Sequence, residues 1–497
     1  MTEVQTGHPK ALYVLFMAEM WERFCYYGMR ALLTLYLINT LLIGDTAAFA
    51  IYGAYTALVY AAPVLGGRMA DQLLGYRNAV ILGGVLMALG EFFILGGSQT
   101  WLFLGMGMII VGNGYFKANI SSIVGRLYPD GDPRKDSGFT IFYIGINIGA
   151  LLATTVCAEV GVKYGYHYGF ALAGFGMILG MIFFMFMGKI IGGEEDIASN
   201  SAPPDREKLY APWIGPLNRF HVTVIGSLAI VPVLYYMLSH TGVVGYLLLA
   251  TAIYVIGSLL VVAFKSDVVQ RDRIFVLIIL MFFNIVFWAC FEQAGTSLTL
   301  FAERNVDRVI FGWEMGAATT QFFNPAFILI FGSVFSWLWV ALDRKGLNPS
   351  IPMKFGLGIL QLGLGYLMVQ VGGWFAVAYL VPLWTLTLLY MLHTTGELCL
   401  SPIGLSMVTK LAPKSMTGTV MGAWFLSFAG SNYVAGIIAQ MTGGHGHGGG
   451  EAVVLTPEMS WATYSEVFNN IGLVTVGIGI GLIIISPLLN KLMHGVK

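Results

Sequence analysis

Apolar runs of about 20 residues recur along the chain from end to end, broken by glycines, prolines and small clusters of charge. Runs of that length match helices that cross a bilayer, and they exclude a barrel built from alternating strands of about ten residues. Lipid offers no partner to an unpaired backbone amide, so the spans are predicted to be α-helical. The breaks predict about fourteen of them, over 11–41, 47–71, 77–97, 101–127, 137–160, 167–191, 218–238, 242–264, 273–300, 314–342, 351–371, 374–411, 416–442 and 462–492.

One long polar interruption, GGEEDIASNSAPPDREKLYAPWIGP, divides the chain near its middle. GGRMADQLLGYR (66–77) follows the second expected helix, and VALDRKG (340–346) follows the tenth; each puts a carboxylate and a basic residue in a tight turn. The expected organisation is therefore a six-helix bundle over 1–191, a polar linker over 192–217, an inserted helical hairpin over 218–264 and a second six-helix bundle over 265–497. Two six-helix halves and the 66–77 loop resemble the major facilitator superfamily.

Composition agrees. Of 497 residues, 57% are hydrophobic and 10% charged, with a mean hydropathy of +0.76; soluble domains carry about 25% charge. Net charge is zero, which gives no pointer to nucleic acid. Cys25, Cys157, Cys290 and Cys399 all fall in expected spans without a CxxC pair, and read as small packing residues. The opening MTEVQTGHPK has no cleavage pattern, so the first span is expected to stay in the protein. Placing both termini in the cytoplasm puts twenty of the 26 Lys and Arg on that side and only Lys163, Arg304 and Arg308 on the other. Arg23, Arg30 and Lys117 remain, inside the membrane.

These three lead to the chemistry. In EMWERFCYYGMR (19–30), Glu19, Glu22, Arg23, Tyr26, Tyr27 and Arg30 share one helix face by their spacing. Snorkelling to the cytoplasmic end accounts for Arg23, but Arg30 lies roughly 10 Å deeper at about 1.5 Å per residue. A charge near mid-bilayer costs a few kcal/mol or more unless it is paired or faces water. Further spans add Lys117 in GNGYFKANIS, Asn147 in FYIGINIGAL, Glu292 in FWACFEQAG, Asn324 in QFFNP and Glu397 in TTGELCLSP, where Gly396 and Pro402 favour a bend. One such residue is often only a helix–helix hydrogen bond; the set points to a site. Glu19, Glu22, Glu292 and Glu397 outnumber the three bases by one, and a surplus buried carboxylate takes a proton. Glu91 is undecided by position.

EMWERFCYYG resembles the ExxERFxYYG signature of the proton-coupled oligopeptide transporter family, and the loop at 66–77, FYIGINIGAL, FWACFEQAG and GELCLSP resemble its other blocks. The resemblance covers both halves, and the 218–264 hairpin resembles the extra helices of bacterial members. It implies uptake of di- and tripeptides through alternating access in the inner membrane, with protons as coupling ion and no cofactor, metal or enzymatic activity. Residue by residue, it implies that Arg30 and Lys117 attract the peptide carboxylate while Glu397, Asn147 and Asn324 hold its amino end. Glu19, Glu22 and Arg23 would couple protonation to binding, with Glu292 pairing Arg30 and Glu397 pairing Lys117. Tyr26, Tyr27, Tyr60, Trp288, Trp424 and the Ser401 of GELCLSP would line the pocket, and Asp71 and Arg77 would lock the cytoplasmic side. Animal relatives use a histidine in the second helix; residues 47–71 have none, so coupling is expected to rest on carboxylates.

The bottom-up logic runs parallel. Every dipeptide offers one ammonium and one carboxylate at a nearly fixed separation, and adaptable aromatic walls tolerate varied side chains. The alternative within transport is a small-anion carrier, which would leave Glu397 no ammonium to hold. A channel would need repeated lining rings, and no nucleophile triad suggests an enzyme. HGHGGG (445–450) reads as a flexible linker rather than a metal site.

Overall fold

The computed structural model describes residues 7–129, 131–413, 416–443 and 456–496; the HGHGGG stretch, Lys414 and Lys497 lie outside them. The chain folds into two compact units: one takes 1–33 and 58–240, the other 34–57 and 241–497.

The helices of the amino-terminal half are α1 (Lys10–Asn39), α2 (Asp45–Met69), α3 (Tyr76–Ile94), α4 (Gln99–Arg126), α5 (Lys135–Leu152), α6 (Ala158–Tyr164) and α7 (Tyr166–Ile182). Single π-helical turns at Ala70–Leu74, Ala153–Cys157 and Phe183–Met187 interrupt or end the spans. In the first unit α3 packs along α4 and against α7. Four glycines at seven-residue spacing, Gly83 and Gly90 on α3 and Gly105 and Gly112 on α4, set backbone against backbone there, because a Cβ on any of them would strike the opposite carbonyl.

The linker is polar in sequence but folded. After α8 (Gly188–Ile191), which ends the preceding span, it forms α9 (Glu194–Ser201), α10 (Arg206–Tyr210) and an antiparallel pair, β1 (Pro212–Ile214) with β2 (Leu217–Asn218). Ile197 and Leu209 are buried, so two apolar residues in a charged stretch suffice to seat it. It runs into α11 (Arg219–Ser239), which packs on α4.

The second unit holds α12 (Thr241–Lys265), α13 (Val268–Phe291), α14 (Ser297–Asn305), α15 (Phe323–Arg344), α16 (Ile351–Gly373), α17 (Trp384–Leu411), α18 (Thr417–Gln440) and α19 (Pro457–Leu492). Helix α16 lies between α17 and α19, α13 packs on α18, and α12 on α13 and α18. The two helices of the expected hairpin thus fall in different units. Residues 34–57 also belong here: Arg304 forks onto Asp45 at 2.6 and 3.0 Å, Asn39 donates to Glu303 at 2.9 Å, and Thr34 donates to the Gly295 carbonyl at 2.6 Å.

Every expected span lies on a helix, and the all-helical membrane architecture holds. Among the described residues ten helices are long and apolar enough to cross a membrane by length and composition; α1, with its four charges at 19–30, is not among them. Three expected spans differ at their ends. The 273–300 span breaks at a 3-10 turn, Glu292–Gly295, before α14. The 314–342 span begins with strand β5 (Trp313–Glu314), which pairs with β4 (Val309–Ile310), and a 3-10 turn, Ala318–Phe322. The 374–411 span starts ten residues late, at Trp384. Its apolar WFAVAYLV imitates a helix, but Ala378 and Tyr379 take positive φ, and Val381–Pro382 (β6) pairs in parallel with Val306–Asp307 (β3).

Candidate functional site

The charged face of α1 is buried. Glu19, Glu22, Arg23 and Arg30 are each 6% exposed or less. Arg23 Nε lies 2.7 Å from Glu19 Oε1 and 2.9 Å from Glu22 Oε2, so one guanidinium serves two carboxylates. Asn113, on α4, donates to Glu22 Oε1 at 2.9 Å. This shared arrangement keeps two acids without stranding a buried charge.

Glycine brings α5 and α2 to the cluster. A Cβ at Gly149 would collide with the Met20 carbonyl and the Arg23 side chain, and one at Gly145 with Phe16, so these two let α5 lie directly on α1. Asn147, two residues from each, points the other way on a 3.6-residue helix; its amide donates to the Tyr143 carbonyl of its own helix at 2.9 Å. The structure therefore does not bring Asn147 to the Arg23 cluster. Gly66 and Gly114 do the same for α2 and α4, which sets Lys117 Nζ 4.0 Å from the Tyr60 ring centroid. About two turns deeper on α1 than Arg23, Arg30 lies over the Tyr27 ring at 5.6 Å, and Tyr26 packs edge-on against Tyr27. These are cation–π contacts, which hold a cation without neutralising it.

The second unit carries the other polar group. Asn324, at the start of α15, donates to Glu397 Oε2 at 3.0 Å and to Thr394 Oγ1 at 3.1 Å. Glu397 and Thr394 are three residues apart on α17 and so share a face. Glu292, 3% exposed, caps α13 where the helix tightens. Trp288 packs against Phe291 and Phe428, and Trp424 against Phe428 and Gly404, forming one aromatic wall. Ser401 is exposed beside Pro402.

At the 66–77 loop, Tyr76 donates to Asp71, and Arg126 donates to the Tyr76 hydroxyl at 2.8 Å with its guanidinium 4.4 Å over the same ring. Arg77, expected beside Asp71, makes no hydrogen bond or ion pair among the described residues; the basic residue that contacts Tyr76 is Arg126. Sequence reasoning missed Asn113, Thr394, Tyr76 and Arg126. Asn113 was within reach of it, one turn before Lys117. Glu91 is now placed: it is buried, with Cys25 Sγ 3.5 Å from Oε1. All four cysteines are free and buried.

Residues 77–451 match the profile of the POT family. The chain is 36% identical to the uncharacterized transporter YclF of Bacillus subtilis (strain 168), over 99% of this chain and 96% of that protein. It is 33% identical to the dipeptide and tripeptide permease B of Aliivibrio fischeri, over 98% of this chain and 96% of that one. Its fold is similar to the crystal structure of a mutant peptide transporter POT in complex with sulfate, with a TM-score of 0.82 and 34% identity over 99% of this chain and 97% of the other.

Proposed function

The chain belongs to the POT family of proton-coupled oligopeptide transporters, and on that premise we propose that it imports di- and tripeptides together with protons by alternating access. Arg30 and Lys117 attract the peptide carboxylate, and Glu397 and Asn324, with Asn147, hold its amino end. Tyr26, Tyr27, Tyr60, Trp288, Trp424 and Ser401 line the path of the side chains. The protein sits in the inner membrane with both termini in the cytoplasm, and Asp71 works with Arg77 and the Tyr76–Arg126 pair as the cytoplasmic lock.

The buried Arg23 shared between Glu19 and Glu22 carries this reading. With both acids ionised, the guanidinium is fully engaged. A proton on either acid loosens that hold and leaves more positive potential on the helix face that continues to Arg30. Such coupling is reciprocal, so a bound peptide must favour protonation by the same factor. Glu292 is the next group in line for the same role.

Uptake into proteoliposomes under an imposed inward proton gradient tests the reading. Wild type should concentrate a dipeptide. Glu19→Gln and Glu22→Gln should lose accumulation yet keep counterflow exchange, which needs no net proton movement. Accumulation with wild-type pH dependence in both variants would move the coupling role elsewhere.

A further inference from the structure

The knuckle at the foot of α11 lies outside the residues assigned above to peptide transport. Between Lys208 and Arg219 the chain reads KLYAPWIGPLNR, and no acidic residue occurs from 208 through 266. Strand β1 is exposed along its whole length: Trp213 is 52% and Ile214 55% exposed, and Tyr210, just before them, 43%. A soluble surface seldom leaves a tryptophan and an isoleucine side by side in water. The exposed apolar surface also continues onto the helix, where Ile225, Leu228, Ile230 and Val233 are each 45% exposed or more. Only 22% of the residues in the most apolar 18-residue stretch of α11 are buried within the protein, which suits a helix with much of its surface against lipid. The knuckle directly abuts its first residue and therefore sits at the membrane–water boundary.

Charge is organised around this apolar tip. The Arg219 guanidinium lies 5.1 Å over the Trp213 ring, and its Nη1 donates to the Lys208 carbonyl at 2.9 Å. Tyr210 packs against Phe220. The hairpin is thereby held in shape by its own cation, with Arg219 over the exposed indole and the exposed Lys208 at the other end of the hydrogen bond. A tryptophan at headgroup depth flanked by basic residues matches an anionic phospholipid, whose acyl chains accept the ring and whose phosphate accepts the cations.

We propose that the Tyr210–Arg219 knuckle is a binding surface for anionic phospholipid headgroups at the foot of α11.

The test uses the full-length protein in vesicles of phosphatidylcholine with a minor fraction of phosphatidylglycerol. Bromines are carried near the carbonyl end of the acyl chains of either lipid, at equal mole fraction. Tryptophan quenching is compared between wild type and Trp213→Phe, which isolates the one indole. The Trp213-dependent quenching should be about two- to threefold greater when the bromines are on phosphatidylglycerol, as expected for cations acting near a charged surface. That excess should vanish in Lys208→Gln/Arg219→Gln and shrink in high salt. Equal quenching by both lipids would show an apolar anchor without headgroup preference, and no Trp213-dependent quenching would place the knuckle off the bilayer; either result overturns the proposal. Unchanged peptide exchange in Trp213→Phe verifies that the variant is folded.

Discussion

Glu19 and Glu22 in the first unit and Glu397 in the second are held by different means. In the first, Glu19 and Glu22 share a guanidinium, and Arg30 and Lys117 stand nearby on aromatic faces. In the second, Glu397 is held by the neutral amide of Asn324. Of the intramembrane residues singled out by sequence, the first unit carries two acids and three bases, the second two acids and no base. The charges that the sequence singles out are thus divided unevenly between the two units. On the proposed reading, a zwitterionic peptide would offer its carboxylate to the bases singled out in the first unit and its ammonium to the acids singled out in the second.

Removing the compensating cation should break this contrast most strongly. Arg23→Met leaves two buried carboxylates facing each other, and a loss of about 3–5 kcal/mol in stability is expected. Thermal unfolding in detergent should register it as a large fall in the midpoint. Glu397→Gln should fall far less, since a glutamine oxygen still accepts from Asn324.

The ends of the peptide sharpen the same comparison. Amidating the peptide carboxylate should weaken binding to wild type by about 1.5–3 kcal/mol, the worth of a hydrogen bond to a charged group. Glu397→Gln should lose a similar amount with free-amine peptides and little with N-acetylated ones. Equal losses for both peptides would make Glu397 a structural residue, and equal binding of amidated and free peptide would remove Arg30 and Lys117 from recognition.

A smaller, kinetic effect is expected at the cytoplasmic loop, outside both clusters. Asp71→Asn should slow transport a few-fold with peptide affinity nearly intact, and Tyr76→Phe should do the same because it removes the hydroxyl joining Asp71 to Arg126. Transport rate and equilibrium binding measured on the same variants distinguish a lock from a pocket residue.

The smallest effect belongs to a surface pair that serves as a control. Arg134 donates to both carboxylate oxygens of Asp132 from its guanidinium and backbone N–H and holds the carboxyl down at about 2, below the usual carboxylate range. The folded value lies below the unfolded one, so the pair's contribution is present above about pH 4 and is lost as pH falls toward 2. Asp132→Asn should leave the transport profile between pH 5 and 8 unchanged. A shifted profile would mean that proton coupling reaches beyond the buried acids.

Much of this was legible before any coordinates. Hydropathy finds helices by run length, and mid-span charge is costly enough to mark a site without geometry. The misjudged ends have a common cause: WFAVAYLV is as apolar as a span, and only the positive φ of Ala378 and Tyr379 and the strand at Pro382 separate it from α17. The linker was read as polar because Ile197 and Leu209 are too few to show in a window. Arg126 was counted only as a cytoplasmic positive charge, since a partner 50 residues away in the chain leaves no local pattern. Asn147 is the reverse case. Its depth marked it, but the direction of its side chain is fixed by glycines on the opposite face.

Asn113 has a consequence of its own. Its amide nitrogen donates to Glu22, while its Oδ1 is buried with no partner. An ionised Glu22 needs a donor and a protonated one needs an acceptor. Asparagine offers both at the ends of a single rotation, so the contact can survive the arrival of a proton with its polarity reversed. Glu22→Gln would trap the amide in one orientation, whereas leucine at 113 would make each protonation event cost a hydrogen bond. In the infrared, the carbonyl stretch of Asn113 would then follow the proton as closely as that of the acid itself.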